Sequence, residues 1–230
     1  YPAFTLEKAK KESFLKGRFT TEFPLSTAER KENIRLSASS VIGKVLLPGE
    51  TLSFNKAVGE RTEERGYKTA KVIIDGKMTD GLGGGVCQTS STLYNAALRA
   101  GLKIAERHPH SVAPVYVDKS FDATVSYGLQ DLKIVNDTSG RIYIGGYVTS
   151  EEVTFEIYGL ENEYEYVFES VTQEEIVETD ELSGENFITG YVTEGIVTVK
   201  KDGKIVKKYR LSKDKYTLTT PIARASGEND

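Results

Sequence analysis

The sequence predicts an α+β fold: two main helices packed on a largely antiparallel β-sheet, followed by a small all-β C-terminal domain. Three observations predict it. Apolar residues repeat at helical spacing in two segments before Gly101, and from Leu102 onward the period changes to short strand-like runs separated by turn clusters such as NDTSG at 136–140. Charge then shifts sharply near Gly159. Leu160 to Gly195 holds eleven acidic residues and no Lys or Arg, Ile196 to Lys215 carries a net +6, and Tyr1 to Gly159 only +2. The division expected is a peripheral N-terminal segment over 1–18, a main domain over 19–159, and a small β accessory domain over 160–230 with a disordered tail.

Taken in order, Thr5 to Lys16 is charged with a thin apolar side of Leu6, Phe14 and Leu15, which predicts a short peripheral helix. STAE at 26–29 supplies a capping box in which Ser26 and Glu29 satisfy each other's free backbone donors. Ile34, Ala38, Val41, Ile42 and Val45 then repeat as one helix face, stopping near Gly43. LLPGETLSFN reads as a turn at Pro48-Gly49 leading to a short strand, and ERTEERG as a charged loop. Lys71 to Ile74 followed by Asp75-Gly76 reads as a strand and tight hairpin turn. After Gly83 to Gly85 and Cys87, QTSSTLYNAALRA is helical and ends at Gly101, which permits a left-handed cap.

Strand-like runs follow at Lys103 to Ala105, Val112 to Val117, Ala123 to Tyr127, Leu132 to Val135, Ile142 to Val148 and Val153 to Tyr158. In the C-terminal part, strands are predicted at Phe187 to Val192, Ile196 to Lys200 and Ile205 to Leu211, with Lys201-Asp202-Gly203-Lys204 as the clearest hairpin turn. Its acidic and basic stretches read as opposite charges facing each other across a solvated sheet.

A net charge of -4 over 230 residues argues against a nucleic-acid binder that neutralises phosphates. No apolar run approaches the ~18 residues of a membrane span. One cysteine forbids an intramolecular disulfide, and with only two histidines a zinc site of Cys and His would lack its fourth ligand, so no metal or cofactor is implied. The chain opens at Tyr1 with neither initiator Met nor signal-peptide pattern and reads as a mature or trimmed fragment.

Three successive glycines before a helix mark a tight bend or a close approach to the backbone, and here they deliver Cys87 at the first helical turn. Free amide donors and the helix dipole gather there and favour a thiolate. A dipole worth about 0.3–2 kcal/mol lowers a thiol pKa of about 8.5 only to roughly 7–8, so a nucleophile at neutral pH needs a histidine as well. Cys87 to Gly101 is 14 residues, about 21 Å of helix. The seven residues on to His108, or nine to His110, cover about 23–30 Å if extended. Both histidines can therefore return to the cysteine, and spacing does not choose between them. The alternative is a cysteine that serves only as a small buried hydrophobe.

PGETLSFNKAVGERTEERGY, GLGGGVCQTSSTLYNAALRAGLKI, AERHPHSVAPVYV, FDATVSYGLQDLKIVND and EVTFEIYG together resemble the VanW domain, a family named from vancomycin-resistance gene clusters, from about Phe19 to Gly159. The central motif departs from the family at Thr89, where an apolar residue is expected, and at Ser91, where threonine is. The resemblance implies an extracytoplasmic protein of a Gram-positive cell wall or membrane-anchored outside the cytoplasmic membrane. GYVTEGIVTVKKDGKIVKKYRLSKDKY looks like a diverged form of the glycine-containing accessory domain found beside such domains. Some clostridial members are understood as L,D-transpeptidases that cross-link peptidoglycan stem peptides through a cysteine thioester. Carried over, the family's cysteine falls on Cys87 and its His-Ser pair on His110 and Ser111, which favours His110. The better-known L,D-transpeptidases place histidine before cysteine, in a Ser-His-Gly-Cys context, so any shared activity is convergent or permuted and their fold cannot be borrowed.

The expected chemistry is attack by Cys87 on the carbonyl preceding a terminal D-alanine, with His110 moving protons and Asp122, in FDATV, orienting His110 or else serving as a turn residue. Backbone amides from Gly85 to Gln88, with the Gln88 side chain, are expected to hold the oxyanion. Gly84, Ser90, Ser91, His108 and Ser111 are further candidates to line the site, and Arg107 and Tyr116 to hold the substrate carboxylate. The partners expected are peptidoglycan stem peptides, with no nucleic acid, and with a membrane only through an anchor outside this chain. The alternatives are a papain-like cell-wall cysteine peptidase and a non-catalytic peptidoglycan-binding module.

Overall fold

A computed structural model describes residues 10–74 and 77–223. The chain is mixed and β-rich, and every strand pair is antiparallel. Strands β1 (Phe14–Glu22), β9 (Glu152–Gly159), β8 (Ile142–Val148) and β2 (Val45–Leu46) form one sheet in that spatial order. β3 (Thr51–Ser53), β7 (Lys133–Val135) and β6 (Lys103–Glu106) form a second, and β4 (Thr69–Ile74) and β5 (Lys77–Leu82) a hairpin. β10 (Tyr164–Thr179), β11 (Asn186–Lys201) and β12 (Lys204–Ala223) make a long three-stranded meander. After a short helical piece at Lys10 and Lys11, the helices among the described residues are α1 (Ala28–Ser39), α2 (Phe54–Val58) and α3 (Val86–Arg99), with a 3-10 turn at Glu63–Arg65.

α3 carries the core. It packs on β1, β9 and α1, and Leu93, Ala96 and Ala97 are sealed with Ile34, Phe155 and Ile157. Each large apolar side chain so enclosed contributes about 1.5–3 kcal/mol. β1 lies so close to the end of α3 that a Cβ at Gly17 would stand 2.4 Å from the Ala96 carbonyl oxygen.

Several expectations are corrected. Of the segment expected as a peripheral helix, Lys10 and Lys11 are helical, but from Phe14 the chain is strand β1, paired with β9 in the register Phe19↔Phe155; residues 5–9 lie outside the described part. The cap of α1 is Thr27, whose side chain accepts from Arg30 N at 3.3 Å, while Ser26 Oγ accepts from the Arg30 guanidinium at 2.9 Å. α1 ends at Ser39 and Val45 belongs to β2, because the chain turns through Gly43, at φ +89°, to join the sheet.

Val112 to Val117 is a loop, since Pro114 interrupts the apolar run, and Ala123 to Tyr127 makes only isolated bridges, His108↔Thr124 and Ser126↔Gln130. Phe187 to Val192 and Ile196 to Lys200 are one strand, and β10 carries no alternation to read because it is mostly exposed on both faces. The turn expected at 75–76 and the tail from 224 lie outside the described residues. The Asp202-Gly203 turn is present, with both residues at positive φ.

β12 pairs with β11 through an irregularity: Glu194 faces Lys213 but Ile196 faces Arg210, so β12 holds one extra residue opposite Gly195. A bulge of this kind reverses which residues point inward. Tyr209 and Leu211 are the half-buried positions before it, and Asp214 and Tyr216 the buried ones after it.

Candidate active site

The glycine turn sets α3 in place. Gly83 and Gly85 take φ of +81° and +107°, which only glycine adopts readily. Gly84 is needed for a different reason: a Cβ there would lie 2.6 Å from the Lys71 carbonyl oxygen and 2.8 Å from Ala70 C on β4. Buried Asn33 on α1 braces the turn, donating to the Gly84 and Lys68 carbonyls, each at 2.9 Å, and accepting from Lys68 N at 2.8 Å. Gly84→Ala is expected to destabilise the fold by about 1–3 kcal/mol through backbone overpacking, read as a lower midpoint in denaturant unfolding with an unchanged slope.

Cys87 stands half-buried on the first turn of α3. Its thiol can donate to the Val125 carbonyl at 3.5 Å, and the imidazole of His110 lies near enough to bear on its ionisation. His110 Nδ1 is 2.6 Å from Asp122 Oδ2, which also accepts the His110 backbone N–H at 2.7 Å. Asp122 is fully buried. Its Oδ1 accepts from Arg107 Nη2 at 2.8 Å and from the Tyr216 hydroxyl at 2.5 Å.

Electrostatics follow from that chain of bonds. Burial pushes the Cys87 thiol up, but the His110 hydrogen bond and charge, with the charge of Arg61, outweigh it and leave the thiol below its ordinary value. Burial pushes His110 down, yet its bonds to Asp122 and Cys87 raise it to about 9. Asp122 is pushed up by burial and held below the carboxylate range by His110, Arg107 and Tyr216. Both shifts favour the thiolate and imidazolium forms of the pair.

The structure brings Tyr116 to the same place: it is half-buried, and burial together with the nearby Cys87 pushes its hydroxyl pKa up. Other expected residues play different parts. The amide hydrogens of Gln88 go to Thr21 Oγ1 and the Glu22 carbonyl, each at 3.0 Å, and its Oε1 accepts from Arg30 at 2.7 Å, so its side chain has no donor left for an oxyanion. Gln88 N is also committed, to Gly85 O at 3.0 Å. Ser90 and Ser91 are buried and tie α3 to the Ala123 backbone, Ser90 Oγ donating to Ala123 O at 2.6 Å and Ser91 Oγ accepting from Ala123 N at 2.9 Å.

Arg107 is turned inward with 5% of its side chain exposed, bonded to Asp122 and to both oxygens of Asp214, and cannot hold a substrate carboxylate. His108 faces away, its Nε2 3.0 Å from Glu106 Oε1. Ser111 accepts Thr217 N at its carbonyl, at 2.8 Å.

Four residues escaped sequence reasoning. The charges of Arg30 and Arg61 both act on Cys87, and Arg61 Nη2 is buried with no hydrogen-bond partner. Their signal was position, one on the first turn of α1 and one in the charged ERTEERG loop. Asp214 and Tyr216 had no local signal. Thr89, the departure in the central motif, is accommodated by Ser37 on α1, hydroxyl to hydroxyl at 2.8 Å in a sealed setting.

Comparison with known proteins accords with these motifs. Residues 29–158 match the family described as VanW like protein. The chain is 45% identical over 128 residues to the uncharacterized protein YoaR of Bacillus subtilis (strain 168), covering 56% of this chain and 42% of that protein. It is 33% identical over 144 residues to the vancomycin B-type resistance protein VanW of Enterococcus faecalis (strain ATCC 700802 / V583), covering 60% and 52% respectively. The chain thus spans about half the length of the curated relatives it matches. No solved structure matches it. With the matched region covering more than half of the residues and enclosing the glycine turn, Cys87, His110 and Asp122, the chain belongs to the VanW family.

Proposed function

We propose that this chain is a cysteine acyltransferase of the L,D-transpeptidase type, acting on peptidoglycan stem peptides outside the cytoplasmic membrane of a Gram-positive bacterium. The observation that carries the reading is the placement of Cys87 at a helix start with His110 near enough to bear on its ionisation and Asp122 bonded to the His110 ring. A relative named for vancomycin resistance supports the cell wall as the setting.

Cys87 thiolate attacks the carbonyl carbon between the penultimate residue and a terminal D-alanine. Val86 N and Gln88 N are bonded to Gly83 O and Gly85 O, so the Cys87 amide between them is the donor for the oxyanion. As the C–N bond breaks, His110 imidazolium gives its proton to the departing amine of D-alanine, leaving a thioester and a neutral imidazole. The amine of a second stem then attacks the thioester, His110 takes its proton, and thiolate is released as the C–S bond breaks. Arg30 and Arg61, in place of Arg107, supply the positive charge that a stem carboxylate needs beside the thiolate.

Incubation with disaccharide-tetrapeptide, followed by mass spectrometry, is expected to show dimers and free D-alanine. Tripeptide without dimer would make the protein a hydrolase of the same stems. No product from a protein whose thiol titrates normally would leave a binding module. The rate is expected to fall above about pH 9, where His110 loses the proton it must donate.

A further inference from the structure

The geometry points to Asp214 and Tyr216, on β12 of the C-terminal meander, as positioning residues that set the charge Asp122 presents to His110, which makes that sheet a working part of the site. Both lie outside the 29–158 match to the family. The inference rests on the Cys87–His110 pair of the proposed function, and not on its substrate.

Asp122 is gripped from two sides. Arg107 donates to it through Nη2 and to its backbone carbonyl through Nε at 2.6 Å, while Arg107 Nη1 lies 2.7 and 2.6 Å from the two oxygens of Asp214. Ser212 Oγ donates to Asp214 Oδ1 at 2.9 Å and accepts from Arg107 at 3.0 Å, which fixes the second carboxylate. Tyr216 accepts from Ser120 N at 2.8 Å and donates to Asp122 Oδ1 at 2.5 Å, with Asp214 Oδ2 the more distant acceptor at 3.5 Å. The next residue, Thr217, holds the Ser111 carbonyl just after His110. Asp122, Asp214 and Tyr216 are all buried, with Tyr216 1% exposed. The bulge opposite Gly195 is what turns Asp214 and Tyr216 toward the site.

A charge count gives each residue a distinct task. One guanidinium between two carboxylates cannot neutralise both, so Asp214 engages Arg107 and leaves Asp122 a negative charge to hold His110 as imidazolium. The Tyr216 hydrogen bond acts in the opposite sense, drawing charge away from Asp122 Oδ1. The other groups facing this cluster are Cys87 and Tyr94 from α3 and Tyr116 from the 111–119 loop, with Arg30 and Arg61 acting on Cys87 and Tyr209 of β12 acting on Tyr94.

The two substitutions therefore have opposite expected effects. With only two histidines in the chain, the imidazole of His110 can be titrated by NMR in the full protein, with His110→Gln assigning its signal. In Asp214→Asn the titration is expected to fall by about one pH unit, because Arg107 then neutralises Asp122. In Tyr216→Phe it is expected to rise by about half a unit, because Asp122 regains charge. A merely structural role would loosen Asp122 in both variants and move both titrations downward. Shifts of the same sign, or none in either folded variant, would overturn the inference. Dimer formation plays no part in this readout, so the substrate assignment can fail while this inference stands, and the reverse.

Discussion

His110→Ala is expected to slow thioester formation by about 10²- to 10⁴-fold, and Cys87→Ala to abolish it. The first variant keeps the thiol but removes the group that holds its ionised form. Titration of alkylation by iodoacetamide is therefore expected to show an apparent pKa well below the ordinary value of about 8.5 in the parent protein and a return toward it in His110→Ala. The helix start alone leaves much of the thiol protonated at neutral pH, so most of the shift should vanish with the imidazole. Equal profiles for the two proteins would mean that the His110 contact has no hold on the sulfur.

Asp122→Ala is expected to be the most destabilising substitution in the site, at about 3–5 kcal/mol, because it strands buried charges rather than removing a matched pair. Arg107 would lose one of its two carboxylates, and the His110 backbone N–H and the Tyr216 hydroxyl would lose their acceptor. For a chain of this size, about 2–4 °C per kcal/mol gives a fall of roughly 6–20 °C in the thermal midpoint. Asp122→Asn keeps the shape and most hydrogen-bonding positions, so it should melt closer to the parent while still losing the charge that holds His110 protonated. If the two variants melted alike, the cost would lie in shape and not in charge.

The meeting of Cys87 and His110 was legible because it depends on local rules: a helix of known rise, a glycine at its end, and an extended return of known reach. Gly101 takes φ +73° where α3 ends, and β6 from Lys103 packs against that helix. Choosing His110 over His108 was beyond spacing alone, since both fall within reach; a carboxylate from Asp122 holds one ring and Glu106 holds the other. Arg107 was misread because its partner Asp214 is 107 residues away. No composition or period reports such a contact. The apolar run at Val112 to Val117 misled for a local reason: Pro114 lacks the N–H a sheet ladder needs, and the segment stays a loop beside the site. β10 was hidden for a third reason. It is mostly exposed on both faces, so the alternation that marks a half-buried strand was never written into it.

The extra residue in β12 sets which way the strand faces the site. Were the ladder to run on regularly from Ile196↔Arg210 with every residue kept, Lys213 would fall opposite Thr193 and the strand would be turned inside out beyond that point. Lys213 and Lys215 would then be driven toward Arg107, and the aspartate and tyrosine would face water. A chain that lacked one of the two residues opposite Gly195 would form the same pairs without the bulge, so homologous chains that keep this centre should hold the aspartate opposite Thr193 with or without the extra residue.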